Sequence, residues 1–258
     1  MATSRMAARL GAVALTVAAL VGSVSVAASA GVASPDKGIL PPKNPSRNVN
    51  PGPNFLISES CADGKDTAAC NTIVVHAITH ARSVLEKIGG MSFSLPAYEK
   101  LTVDEQLFVS ANLERIERGL PAIVVLTKSL DAVAQIGANN DEDPPLNKVP
   151  STLPGGGRWI SLGGNWAGGF DNALGSDYGW MYDDKGSAWG HRDNILGQYG
   201  TTANCGGARH EIAMGAGHVA TGKAFGDSET ELFAGVCGTT PTDVVMTWAK
   251  AEKLLRIS

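Results

Sequence analysis

Apolar and polar positions alternate with a helical period along three stretches of this chain. Residues 71–88 set Ile73, Val74, Ala77, Ala81, Val84, Leu85 and Ile88 at helical spacing. Asn71 or Thr72 can cap that helix, and Gly89-Gly90 stops it. From Thr102, a T-V-D-E capping box precedes Val109, Leu113, Ile116 and Leu120, one apolar stripe that Gly119 and Pro121 close. A third helix is predicted over 128–138, with Leu130, Val133, Ala134 and Gly137 inward. Residues 141–143 are a solvated acidic loop, and 146–160 is Pro/Gly-rich and loop-like, with a turn at Gly155-Gly156-Gly157. The pattern then shortens. Residues 211–220 (EIAMGAGHVA) and 230–237 (TELFAGVC) read as an antiparallel strand pair across a polar turn at Gly226-Asp227-Ser228. A terminal amphipathic helix is predicted from Thr240 as N-cap, with Pro241 at N1 and Val244, Val245, Trp248, Ala251 or Glu252, and Leu255 as its stripe.

Residues 163–196 (GGNWAGGFDNALGSDYGWMYDDKGSAWGHRDNIL) break this regularity and concentrate the chemistry. Three of the five Trp fall here (Trp166, Trp180, Trp189), with Asp183-Asp184, His191-Arg192 and many glycines. Aromatics among glycines suit a shaped surface with close backbone approach, and the Asp/His content suits acid–base work. They equally suit a tightly turned segment around a core Trp. Asp171 can cap a helix running to about Asp183, with Leu174, Tyr178 and Met181 on one face. Asp183 and Asp184 then sit at the negative end of its dipole, which calls for a cation such as protonated His191 or Arg192. Asn112 and Arg115, three apart, are placed to bond each other or neighbouring loops. His76 and His80 share a helix face at i, i+4, but HAITH lacks the Glu of H-E-x-x-H, so two ordinary helix-face histidines are expected.

Composition sets the compartment. The first 30 residues read as a secretory leader: Arg5 and Arg9, an apolar run from Leu10 to Ala28, and an A-S-A cleavage site. The 258-residue chain carries a net charge of −4, and losing the leader removes two Arg and no acid. A mildly acidic secreted chain is not expected to bind nucleic acid or anionic membranes. No second apolar span is long enough to cross a bilayer, so no integral membrane contact is expected after cleavage. Residues 31–60 form a Pro-rich arm expected to be disordered to about Phe55, 61–100 a disulfide loop with an extra helix, and 101–258 the main domain. Cys61, Cys70, Cys205 and Cys237 allow three pairings; Cys61–Cys70 closes a short polar loop, and Cys205–Cys237 ties the central stretch to a late strand. No C-x-x-C pair points to zinc. No G-x-S-x-G or nucleotide fingerprint is present. Neither a metal nor a cofactor is predicted.

A resemblance rests on an ordered set of motifs. N-x-x-R-x-x-x-G-L-P (Asn112, Arg115, Gly119, Leu120, Pro121) is followed by L-x-x-x-A (Leu130, Ala134). Then come G-x-N (Gly163 to Asn165), the Trp180 helix, G-H-R-x-N-I-L (Gly190 to Leu196) and G-x-G (Gly215 to Gly217). Together they resemble the CAP superfamily of cysteine-rich secretory proteins, antigen 5 and pathogenesis-related proteins, in its bacterial secreted branch. The resemblance spans roughly 100–237. It implies an α+β fold, an α-β-α sandwich with a small antiparallel sheet, to which this chain adds N- and C-terminal helices. It also implies an open cleft in which many members carry two His and two acids, sometimes with a metal ion. His191 matches one of those His, and Asp183 stands where an acid follows the family's Trp. The acid of G-E-N falls on Gly164, and residues 139–143 (NNDED) hold no His where the second is expected.

Two functions compete. One is a secreted CAP-like domain with a binding or structural role at the cell envelope or outside the cell, its ligand a lipid, glycan or protein. Trp166, Asn165, Trp180 and Arg192 are then candidate ligand contacts. The other is a cell-wall or peptide hydrolase using Asp183 or Asp184 with His191 as an acid/base pair.

Overall fold

The computed structural model describes residues 40–49, 61, 67–170 and 172–257. The leader, most of the arm and Asp171 lie outside these. Among the described residues the elements run α1 (Ala68–Leu85), α2 (Leu95–Tyr98), α3 (Val103–Ile116), β1 (Val125–Thr127) and α4 (Lys128–Asn140), then β2 (Arg158–Gly168), α5 (Ala173–Tyr182) and α6 (Gly190–Leu196). β3 (His210–Gly222), β4 (Gly226–Cys237), β5 (Val244–Thr247) and α7 (Trp248–Leu255) complete the chain.

The helix starts follow local capping chemistry. α3 carries the full capping box, the Thr102 hydroxyl accepting from Glu105 N–H while the Glu105 carboxylate accepts from Thr102 N–H. α1 starts three residues earlier than its apolar pattern suggests, because Thr67 caps it. α5 is capped by Asn172, whose side chain accepts from Gly175 N–H; the expected cap, Asp171, lies outside the described residues.

Five strands form one sheet in the order β2-β4-β3-β1-β5. The β3–β4 hairpin matches the predicted antiparallel pair. The sheet as a whole is mixed, correcting the expected antiparallel one: β1 runs parallel to β3, with Val125 opposite Ala213. Three strands, β1, β2 and β5, fall where the sequence predicts none. β1 is too short to show a period, and β2 begins in the Pro/Gly-rich stretch where the sequence predicts a loop.

The C-terminus also departs from expectation. Val244–Thr247 is a strand that zips antiparallel onto β1, and the helix begins only at Trp248, capped by Thr247. Val244 and Val245 are β-branched and favour an extended backbone where a strand edge is offered. Asp243 caps elsewhere: its carboxylate accepts from Ser129 N–H and its carbonyl from Lys128 N–H, at the start of α4.

The layers are helix, sheet, helix. α4 covers one face, packing Leu130, Val133 and Ala134 over Ala213, Leu232 and Ala234. Gly217 permits the approach, since a Cβ there would stand 2.6 Å from the Gln135 backbone nitrogen. The larger core lies on the other face, where Phe108, Trp180, Tyr182, Phe233 and Trp248 cluster under α1, α3, α5, α6 and α7. Both favoured disulfides are present, Cys61–Cys70 and Cys205–Cys237.

Residues 40–49 correct the picture of a free arm. Val49 is buried, and its N–H donates to the Tyr182 carbonyl at 3.0 Å. Asn48 donates to Asp183 and accepts from Lys185 N–H, and Asn44 donates to Asp193.

Candidate functional site

The sequence that links α5 to α6 builds the site. After Tyr182 the chain passes through Asp183, Asp184 and a 3-10 turn at Lys185–Ser187. Ala188 and Trp189 both adopt left-handed backbone, at φ 54° and 66°. Each costs on the order of 1–2 kcal/mol in a non-glycine residue. These turns bring Asp184 back onto the N-terminus of α6. Its Oδ2 accepts from His191 N–H at 3.0 Å and Arg192 N–H at 3.5 Å, replacing the cap that Trp189 lacks. Its Oδ1 lies 2.7 Å from His191 Nδ1.

The acid paired with His191 is therefore Asp184. Asp183, the acid favoured by resemblance, turns to the surface and accepts from Asn48. The pair does not face an open cleft: His191 is 2% exposed and Asp184 0%. His191 Nε2 is buried without a hydrogen-bond partner. Asn165 donates to the His191 carbonyl at 3.2 Å and to Glu231 at 3.1 Å, while accepting from Asn194.

The candidate ligand contacts are interior groups. Trp180 Nε1 donates to the Trp166 carbonyl, and Trp166 Nε1 to Ser228. With their N–H groups satisfied inside, both rings, and Trp189, are buried. Arg192 is equally buried; it donates to the Met181 carbonyl at the end of α5 and pairs with Glu86 at 2.5 Å. Arg115 reaches the carbonyls of Pro121, Ile195 and Gly197, and Asn112 clamps Ile123, so both serve neighbouring loops.

Beside His191 runs an ionic network that the sequence reading missed. Arg82 meets Glu114 at 3.1 Å, and Arg118 meets both Glu114 and Glu86. The Tyr182 hydroxyl contacts both oxygens of Glu114 and accepts from Arg82 and Arg118. Burial by itself would raise Glu114, but Arg82 and Arg118 outweigh it and bring the carboxyl down to about 2. Two acids nearby go the other way. Burial, then the charges of Glu114 and Glu231, push Asp177 well above the carboxylate range. Burial pushes Glu231 up to about 8 against the bond from Asn165. Glu114 stands at the end of α3 and Arg118 four residues on, just past it. Their partners came from elements far along the chain, so no local pattern revealed them.

Where the resemblance places an acid, a Cβ on Gly164 would lie 3.1 Å from Pro144 Cδ. Where it places a second His, Asn140 and Asp141 instead hold the β3–β4 hairpin tip through Lys223 and Ala224 N–H. His76 and His80 are exposed on α1. No protein-family model, no curated protein and no solved structure matches this chain.

Proposed function

We propose that this chain is a secreted, disulfide-bridged domain that works by binding or scaffolding at the cell envelope or outside the cell, on a lipid, glycan or protein. One observation carries the reading. The best-matched functional residue, His191, is 2% exposed, and its Asp184 partner is committed to capping α6. A general acid or base must come within hydrogen-bond reach of the reacting atom; this imidazole is enclosed by protein. The tight space at Gly164, where an added Cβ would lie 3.1 Å from Pro144 Cδ, supports the same reading, since an acid is expected there by resemblance. The two disulfides fit an oxidising compartment. No described helix is long and apolar enough to cross a membrane.

Hydrolysis of wall glycan or peptide is the second reading. It draws on the 2.7 Å contact between His191 and Asp184 and the unused Nε2. Incubating the purified secreted chain with insoluble wall material decides between them. Binding without release of soluble fragments is expected. Release that His191→Ala abolishes, in a variant still folded by circular dichroism, overturns the binding reading.

A further inference from the structure

The far end of the β3–β4 hairpin holds a second cluster, unrelated to the His191–Asp184 pair. The register sets His218 directly opposite Glu229. Asp227 lies two residues before Glu229, so strand alternation puts it on the same face. One ligand atom from each, an imidazole nitrogen and two carboxylate oxygens, fall within 4.8 Å of one another. Asp227 and Glu229 are buried, whereas the His218 side chain keeps 23% of its surface. The cluster thus has two interior walls and one facing solvent.

Its geometry is poor for hydrogen bonding and good for a cation. His218 Nε2 stands 3.3 Å from Asp227 Oδ1. That is long for a charge-assisted bond, which prefers about 2.7–2.9 Å. For this pair the spacing suits a shared ion, since two ligands on a tetrahedral ion with bonds of about 2.05 Å stand about 3.3 Å apart. Two carboxylates buried side by side are costly unless positive charge sits among them. A protonated imidazole brings one charge at that distance; a divalent ion brings two.

We propose that His218, Asp227 and Glu229 bind a divalent transition-metal ion, with Zn²⁺ the best match. Imidazole with carboxylates suits Zn²⁺, whereas Ca²⁺ and Mg²⁺ select all-oxygen sites. Ser176 on α5 donates to Glu229 Oε2 at 3.0 Å, orienting that carboxylate from behind as an outer partner does. Asp104, in the first turn of α3, lies within electrostatic reach of His218. Three protein ligands leave a fourth position for water or an external donor.

The test uses the secreted chain, stripped of metal by chelator dialysis and titrated calorimetrically with Zn²⁺. One equivalent is expected to bind, and His218→Ala is expected to weaken it by about tenfold or more. A double variant, His76→Ala with His80→Ala, controls for the exposed pair on α1 and is expected to bind as the parent does. Co²⁺ reports geometry, with the strong visible absorption of a tetrahedral site appearing in the parent and fading in His218→Ala. His218 is partly exposed, so its truncation is expected to fold; Asp227→Asn is read only if its circular dichroism matches the parent. Absence of saturable Zn²⁺ uptake, or uptake unchanged by His218→Ala, overturns the proposal and leaves a plain His–Asp pair.

Discussion

Asp184 serves two groups with one carboxylate. One oxygen holds the first N–H groups of α6, and the other holds the imidazole of His191. Asp184→Ala is expected to destabilise the chain by about 1–3 kcal/mol, read from the urea midpoint. Asp184→Asn keeps an acceptor and is expected to lose less. Asp183→Ala, by contrast, is expected to cost under about 1 kcal/mol, because its partner Asn48 is also reached by Lys185 N–H. That an acid sits near His191 was legible in the sequence. Which of two adjacent acids it would be was not, since it depends on two left-handed residues, Ala188 and Trp189, that no propensity announces.

Asp131 gives a residue-scale prediction about pH. Burial pushes its carboxyl up to about 8; the bond from Ala216 N–H opposes this, and the charges of Asp104 and Asp243 add to it. The folded value lies above the unfolded one of about 3.9. The unfolded chain therefore releases this proton first. The group's contribution is full below about pH 4 and is lost as pH rises toward 8. Asp131→Asn keeps the acceptor for Ala216 N–H. The variant is expected to gain stability over the parent as pH rises from 4 to 8, the two curves converging at the acid end. Urea unfolding across that range checks it.

At the scale of elements, helices were the legible part and short strands were not. α3 carried its own start, stripe and stop, so its fold needed no partner to be read. β1 and β5 hold three and four residues; β1 is a strand because it lies between β3 and β5, and β5 because β1 lies beside it. β2 was hidden by glycines whose function is contact. The α4 layer makes the same point from the other face. Its distance from the sheet is set by Gly215 and Gly217, where an added Cβ would collide with the helix backbone at 2.2 and 2.6 Å. Gly217→Val is expected to cost about 1–3 kcal/mol or more through overpacking, seen as a lower thermal midpoint.

At the scale of the whole molecule, the layered α+β arrangement was legible but the placement of charge was not. Five ionic groups from three distant segments, Arg82 with Glu86, Glu114 with Arg118, and Arg192, meet behind the His191 pair. Sequence separation hides such a meeting; a fold is needed to close it. The arm belongs to the same assembly, since Val49 and Asn48 lie against the α5–α6 connection. A chain beginning after residue 49 is expected to remain folded but to be cleaved sooner by protease in the 183–189 segment, mapped by mass spectrometry of the first fragments.

The pairing of β5 with β1 has a kinetic consequence. β5 is the last strand in sequence order among the described residues, and its partner lies roughly 120 residues earlier in the chain. Until β5 and α7 are made, the edge of β1 stays open and the corner of the large core that they fill stays empty. Such long-range closure slows folding. Closure of the sheet thus waits on β5, and the open edge of β1 and the unfilled corner of the large core are completed together.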